Sequence, residues 1–239
     1  MSEFVRHENC PYCNSRDNLA RYDDGHGYCF GCHYTEPATE KWLGHKPVLK
    51  VLTTLRALPD DAKPQIGATG WMWLKKYGII ETETSGFLWS DSKQWLIFTF
   101  KDGNGTIIAW QARNFNKDRP KPKYLSYGPI GDILVEFGEG NCCVLTEDVI
   151  SAIKVGRSTG VVGVPLFGSG IPLKLLTRLY RLFKTVGIWL DSDKTRESLL
   201  ARSRANQYFP HVFTILTEKD PKEYSDEAIN EKICNSMEI

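Results

Sequence analysis

Four acidic residues in the C-terminal half are the first to suggest chemistry. Glu147, Asp191, Asp193 and Asp220 each end, or closely follow, an apolar run of strand character: CCVLT, TVGIWL and HVFTILT. A single carboxylate after a strand is an ordinary helix cap. Four at one edge of one sheet repel one another unless a cation offsets them. The pair Asp191-x-Asp193 can place two carboxylates around one Mg²⁺ with oxygen ligands and waters. Such a cluster suits phosphoryl or nucleotidyl transfer. Mg²⁺ or Mn²⁺ there stabilises charge on the phosphorus and lowers the pKa of an attacking hydroxyl. Glu147 stands alone on its strand, so bridging metals and general acid–base work both stay open for it.

A second set of residues points to another metal. Cys10, Cys13, Cys29 and Cys32 form two CxxC pairs separated by fifteen residues. Each two-residue gap lets both thiolates face one ion, and two such turns joined by a hairpin supply the tetrahedral sulfur shell of a structural zinc. His7, His26 and His33 lie nearby, but four regularly spaced thiolates need no histidine. The full set of cysteines, with Cys142, Cys143 and Cys234, is odd in number, which disfavours a disulfide scaffold. Asp24-Gly25 marks the hairpin turn, where His26 is expected to be exposed and able to reach a base edge beside Asp24. Tyr22, Tyr28 and Phe30 can stack on bases, though at least one is expected to fill the core. A unit this small relies on its metal to fold.

Between these sets lies a basic, aromatic stretch. In RNFNKDRPKPKYLSYG, Arg113, Lys117, Arg119, Lys121 and Lys123 face a single acid, Asp118, with Tyr124 and Tyr127 downstream. Two prolines disfavour helix, so these groups belong to a loop leaving a sheet. Arg113, Lys117, Lys121 and Lys123 are candidates to bind the phosphates of a template backbone or an incoming nucleotide, and the tyrosines to stack on bases.

The elements that must position these groups follow from patterning. The chain has 239 residues, 41% of them hydrophobic, and a formal net charge of +1, so any nucleic-acid footprint is local rather than global. It has no apolar run long enough to span a membrane and MSEFVRHENC lacks a signal-peptide core, so the expected location is the cytoplasm, the host's if the chain is phage-encoded. TGWMWLKKYGI over 69–79 predicts a short helix stopped by Gly78. Gln94–Phe100 and Thr106–Arg113 predict a hairpin around Asp102-Gly103. From Cys142 onward, the strands CCVLT, VVGVP, TVGIWLD and HVFTILT alternate with helices in VISAIKVG, PLKLLTRLYRLF, TRESLLARSRANQYF and EYSDEAINEKIC. That alternation predicts a mostly parallel sheet, helices on both faces and a ligand beyond the strands' carboxyl ends. The expected division is 1–36 for the zinc unit and 37–62 for a linker with a short helix in Val48–Leu58. A basic, aromatic subdomain at 63–138 and a catalytic domain at 139–239 complete it.

Taken together, these segments resemble the DNA primases that T7-like bacteriophages fuse to a replicative helicase. CPYC…SRDNLARYDDGHGYCFGC is similar to their zinc-binding domain, and LIFTFKDGNGTIIAWQAR to the subdomain preceding the catalytic one. LTEDVISA, WLDSD and EKDPKEY are similar to successive motifs of the TOPRIM fold. The resemblance covers nearly the whole chain. It implies a zinc ribbon followed by an α/β TOPRIM-type domain, itself preceded by a mixed α+β subdomain. It further implies synthesis of short RNA primers on single-stranded DNA from ribonucleoside triphosphates, one structural Zn²⁺, and catalytic Mg²⁺ or Mn²⁺ at Glu147, Asp191, Asp193 and Asp220. Asp24 and His26 fall where such proteins recognise the template. Two departures stand out. The first motif usually reads Glu-Gly-x-x-Asp-Ala, and here Ser151 replaces its second acid, so that Asp148 compensates only if its side chain turns inward. No GxxxxGK[ST] is present either, so a separate replicative helicase is expected, along with a DNA polymerase to take the primer. Two other functions compete: a metal-dependent TOPRIM nuclease, and a non-catalytic zinc/TOPRIM DNA-binding mediator of replication or recombination.

Overall fold

The computed structural model describes residues 2–13, 15–32, 34–36 and 57–237. His33, and most of the expected 37–62 linker with its short helix, lie outside the described residues. The chain divides into two compact units, Met1–Leu52 and Thr53–Ile239.

The first unit is an antiparallel meander of β1 (Phe4–Glu8), β2 (Leu19–Tyr22), β3 (Gly27–Cys29) and β4 (Thr35–Glu36), in that spatial order. Gly25 turns the β2–β3 hairpin with a φ of 83°, a conformation that suits a residue without Cβ. The core is minimal: Cys10, Leu19 and Cys29 are buried, with Cys32 and Tyr34 packed against them. None of Tyr22, Tyr28 and Phe30 joins that cluster, and Phe30 is 59% exposed; the cysteines, with Leu19 and Tyr34, fill the core instead. Arg21 stitches the sheet together by donating to Glu8 at 3.1 Å, to Glu36 and to the Gly25 carbonyl at 3.2 Å.

In the second unit, β5 (Phe87–Ser90), β6 (Trp95–Lys101), β7 (Ile107–Asn114) and β8 (Tyr124–Tyr127) form an antiparallel sheet in chain order. Helix α1 (Ala68–Lys76) packs on it closely enough that a Cβ at Gly70 would stand 3.0 Å from the Trp89 ring. The helix ends two residues before Gly78, which then turns the chain at a φ of 69°. Strands β1, β4, β5 and β8 have no counterpart among those expected from sequence.

A parallel sheet follows, in the order β10-β9-β11-β12. Its strands are β9 (Gly140–Thr146), β10 (Gly160–Pro165), β11 (Thr185–Ile188) and β12 (His211–Thr214). The helices are α2 (Val149–Val155), α3 (Leu173–Leu182), α4 (Thr195–Ala205) and α5 (Asp226–Met237). Side chains alternate across it as a pleat requires. Cys143 and Leu145 face Leu175 and Leu179 of α3 and Ala201 of α4, whereas Cys142 and Val144 face Val155 of α2 and Ile229 of α5. Helices therefore cover both faces, as the alternation of elements predicts. Gly163 admits α2 closely: a Cβ there would meet the Ala152 carbonyl oxygen at 2.0 Å.

The two sheets share a core in which Leu74, Trp89 and Phe98 meet Val149, Ile150 and Ile153 of α2. Each such buried aliphatic or aromatic side chain contributes about 1.5–3 kcal/mol through surface removed from water. Arg157 clamps the same junction from outside. It donates to Glu83 at 2.7 Å, to Asp226 at 2.9 Å and to the Gly78 carbonyl at 2.9 Å.

Candidate active site

Strand order gathers the acids. Leu145 of β9 pairs with Ile188 of β11, and Ile188 with Thr214 of β12, so the segments after these strands leave the same edge side by side. Glu147, Asp191 and Asp220 consequently line one cleft of about 290 Å³. The same cleft is lined by Trp73 of α1, and by Gln111, Arg113, Lys123 and Tyr124 of the antiparallel sheet and its loop.

Burial and mutual repulsion set the charges. Asp191 is pushed up to about 7, first by burial and then by Asp148, Asp220 and Glu147 nearby. Burial also raises Glu147, with Asp148 and Asp193 adding to it. Its Oε2 is buried without a hydrogen-bond partner, a costly state for a carboxylate oxygen unless a cation or proton reaches it. Asp220 behaves oppositely. Burial would raise it, but the Ser192 N–H at 3.0 Å and the ammonium of Lys222 hold it below the usual carboxylate range.

Two charged residues of the cleft, Asp148 and Lys222, are absent from the site expected from sequence, as are Trp73 and Gln111. Asp148 does turn inward, and it works in two directions: one oxygen caps α2 by accepting from the Ser151 N–H at 2.9 Å, the other accepts from Lys222 at 2.7 Å. Lys222 also lies 3.0 Å from Asp220 and 3.3 Å from Asp191. Burial would lower this lysine, but its three carboxylates outweigh that and hold it well above the ordinary value. One signal was available: Asp220-Pro-Lys222 repeats the two-residue spacing of Asp191-x-Asp193.

Asp193 is not brought to this cleft. Lys194 N–H closes a turn onto the Asp191 carbonyl at 2.9 Å, and beyond it Asp193 is 74% exposed and paired with Lys194 at 3.4 Å. Among the described residues, the acids do not close to ligand spacing, whereas the four cysteines do. A divalent ion nevertheless fits the chemistry of Glu147, Asp191 and Asp220. They offer hard oxygen donors, one of them buried and unpartnered.

The basic candidates separate. The Arg113 guanidinium lies over Tyr124 at 4.9 Å, Trp73 at 5.4 Å and Phe115 at 5.6 Å, within cation–π range of all three rings. It sits on β7, and Lys123 immediately before β8, so the sheet carries both to the cleft. Lys117 and Lys121 are exposed on the intervening loop and do not line it. That loop is shaped by asparagines: Asn114 donates to the Arg119 carbonyl at 2.7 Å, and Asn116 accepts from the Asp118 N–H at 2.9 Å.

In the first unit, the Sγ atoms of Cys10 and Cys32, and of Cys13 and Cys29, are 3.7 Å apart, and all four lie within 4.8 Å of one another. A tetrahedral ion with sulfur at 2.3 Å requires an edge of ~3.8 Å, so the cluster fits one Zn²⁺. His26 differs from expectation. Its ring is only 32% exposed because it stacks on Tyr22 at 4.1 Å, nearly parallel, and binds Asp24 through Nδ1 at 2.5 Å. Asp24 and His26 thus form one locked pair on the hairpin rather than two free side chains.

No family model matches the chain. It is 26% identical over 122 residues, 49% of its length, to a DNA helicase/primase of Enterobacteria phage T3. It is 29% identical over 160 residues, 60% of its length, to a DNA primase of Halalkalibacterium halodurans. The matched regions make up 22% and 26% of those proteins, so the chain spans about a quarter of the length of the curated relatives it matches. Among solved structures, it superposes on the primase fragment of the bacteriophage T7 primase-helicase protein with a TM-score of 0.55. That likeness covers 98% of this chain and 99% of the fragment at 21% identity. The chain has the fold of that fragment, as the sequence resemblance implies.

Proposed function

We propose that the chain is a DNA primase that joins ribonucleoside triphosphates into short RNA primers on single-stranded DNA. The observation that carries this reading is the meeting, in one cleft, of strand-end acids with an arginine held among aromatic rings. A triphosphate needs the first to be offset by metal and the second to be met by phosphate; a base can stack beside Tyr124 or Trp73. Mg²⁺ or Mn²⁺ held by Glu147, Asp191 and Asp220 would stabilise charge on the transferring phosphorus. Arg113 and Lys123 bind the phosphates, and Ser192 fixes Asp220 through its N–H and hydroxyl at 3.0 and 3.2 Å. The 3′-hydroxyl attacks the α-phosphorus in line and loses its proton to solvent, and pyrophosphate leaves as the phosphodiester bond forms. Asp193, Lys117 and Lys121 are left to outer contacts with the template or triphosphate.

Residues 1–36 recognise the template through Asp24 and His26, residues 63–138 supply the basic, aromatic wall, and residues 139–239 carry the acids. The relatives support the reading: one is described as a DNA primase and the other as a helicase/primase. Action in the cytoplasm beside a separate replicative helicase and DNA polymerase belongs to the same proposal. Among the described residues, no helix is long and apolar enough to cross a membrane.

The test is incubation of zinc-loaded protein with single-stranded DNA of random sequence, labelled ribonucleotides and Mg²⁺ or Mn²⁺. Short, template-dependent RNA is expected. Strand scission without synthesis would turn the reading to a nuclease, and DNA binding with neither activity to a mediator.

A further inference from the structure

The ammonium of Lys222 contacts Asp148, Asp220 and Asp191 at 2.7, 3.0 and 3.3 Å, and its side chain is only 11% exposed. A surface lysine pairs loosely, but this one is built in. It sits in a short helical turn, Pro221–Glu223, whose proline fixes the first backbone angle. The Asp220 N–H donates to Glu223 at 3.3 Å and closes that turn. Lys154, buried on α2, donates to the carbonyl oxygens of Lys222, at 3.2 Å, and of Tyr224. The backbone from Lys222 to Tyr224 is therefore pinned to α2, the helix whose first turn Asp148 caps.

The charges around this lysine are unequal to two divalent ions. Glu147, Asp148, Asp191 and Asp220 are the acids of the cleft, and Ser151 beside them is buried with a neutral hydroxyl that has no partner. Lys222 already offsets one of those four charges, and it engages every cleft acid except Glu147. One divalent ion then leaves the cluster close to neutral and still slightly negative. A second would make an enclosed cluster net positive before any phosphate arrives, and its oxygens would have to be taken from Lys222.

We propose that Lys222 is the resident second cation of the cleft, so that the site takes one divalent ion where its four acids alone would draw two. This rests on the metal-dependent reading of the site and sharpens it. Lys222 is a positioning residue: it holds Asp148, Asp191 and Asp220 in place and sets how many ions they accept.

The experiment counts Mn²⁺. The zinc-loaded full chain is titrated with Mn²⁺, and bound ion is read from loss of the free-ion paramagnetic resonance signal, with Asp191→Asn marking what binds outside the cleft. The wild type is expected to bind one ion in the cleft, Lys222→Met two, and Lys222→Arg one. Without added Mn²⁺, Lys222→Met should melt below the wild type and recover as ions fill the site. Two ions, or none, in the wild type overturn the proposal, and so does a single ion in a folded Lys222→Met. Should Lys222→Met not fold, the wild-type count decides alone. Dinucleotide synthesis is followed in parallel, which separates the two readings. One ion in the wild type with no synthesis keeps the lysine's role and removes the primase; two ions with synthesis do the reverse.

Discussion

The two metal-directed clusters of this chain handle like charge in opposite ways. In the first unit, four sulfurs lie within 4.8 Å of one another, and two of them also form the core. In the second, the acids stand on a sheet with extensive apolar cores on both faces, and a lysine is built in between them. A cluster that is the core cannot be separated from its ion. A cluster carried on an independent core can carry its own counter-charge and be emptied without unfolding. The difference is one of surface to volume: a hairpin unit buries too little apolar area to fold alone, whereas a sheet sandwiched between helices does not need the ion.

The largest expected effect breaks the first half of that comparison. Cys10→Ser should release the zinc and unfold the first unit, because structural zinc in small ribbons supplies on the order of 10 kcal/mol of apparent folding free energy. Zinc content and the amide spectrum of β1–β4 measure this, while Mn²⁺ binding by the acids should persist. A folded first unit without zinc would remove the distinction between the clusters.

Next in size, Asp191→Asn and Glu147→Gln should each leave the thermal melt of the second unit near wild type while dinucleotide synthesis falls at least about 100-fold, roughly 2.7 kcal/mol in the barrier. Near-normal synthesis by either variant at low metal would take that residue out of the reaction.

A third prediction concerns pH. Asp191 stands at about 7 in the folded chain against an ordinary 3.8, so the proton it holds favours folding. That contribution is full below the ordinary value and lost as pH rises through about 7. A metal ion must displace the same proton, so Mn²⁺ affinity should rise up to about tenfold per pH unit below neutrality and level off above it. Titrations from about pH 5.5 to about pH 8.5 check the slope; a flat profile excludes Asp191 as a ligand.

The smallest effect falls on the hairpin. His26→Ala removes a ring stacked 4.1 Å from Tyr22, worth ~1 kcal/mol to the first unit. Initiation on a template should suffer more than extension of a preformed dinucleotide. Equal losses would leave His26 a structural role only.

Much of this was legible from residue types and periods. The CxxC spacing specified a sulfur cluster because two thiolates of one tight turn have few other geometries. Apolar runs alternating with helical segments specified the parallel sheet, and strand ends then specified Glu147, Asp191 and Asp220. What escaped depended on contacts remote in sequence. Lys222 reads as a surface lysine until β12 is known to lie beside β11. Trp73 joins Arg113 only when α1 packs on the antiparallel sheet. Asp193 looks equivalent to Asp191 by spacing, but the turn closed onto the Asp191 carbonyl sends it to solvent. His26 looked free because its stack on Tyr22 reaches across the hairpin.

The strand order β10-β9-β11-β12 also has a consequence in time. As the chain leaves the ribosome, Glu147 and Asp148 emerge first, Asp191 later, and Asp220 with Lys222 last. A nascent chain that has completed β11 holds acids at the sheet edge with neither their lysine nor the turn that Lys154 anchors. The edge strand β12 therefore finishes the sheet and delivers the counter-ion in one event. Assembly of the binding cleft then falls late in folding, with only α5 still to dock on the sheet.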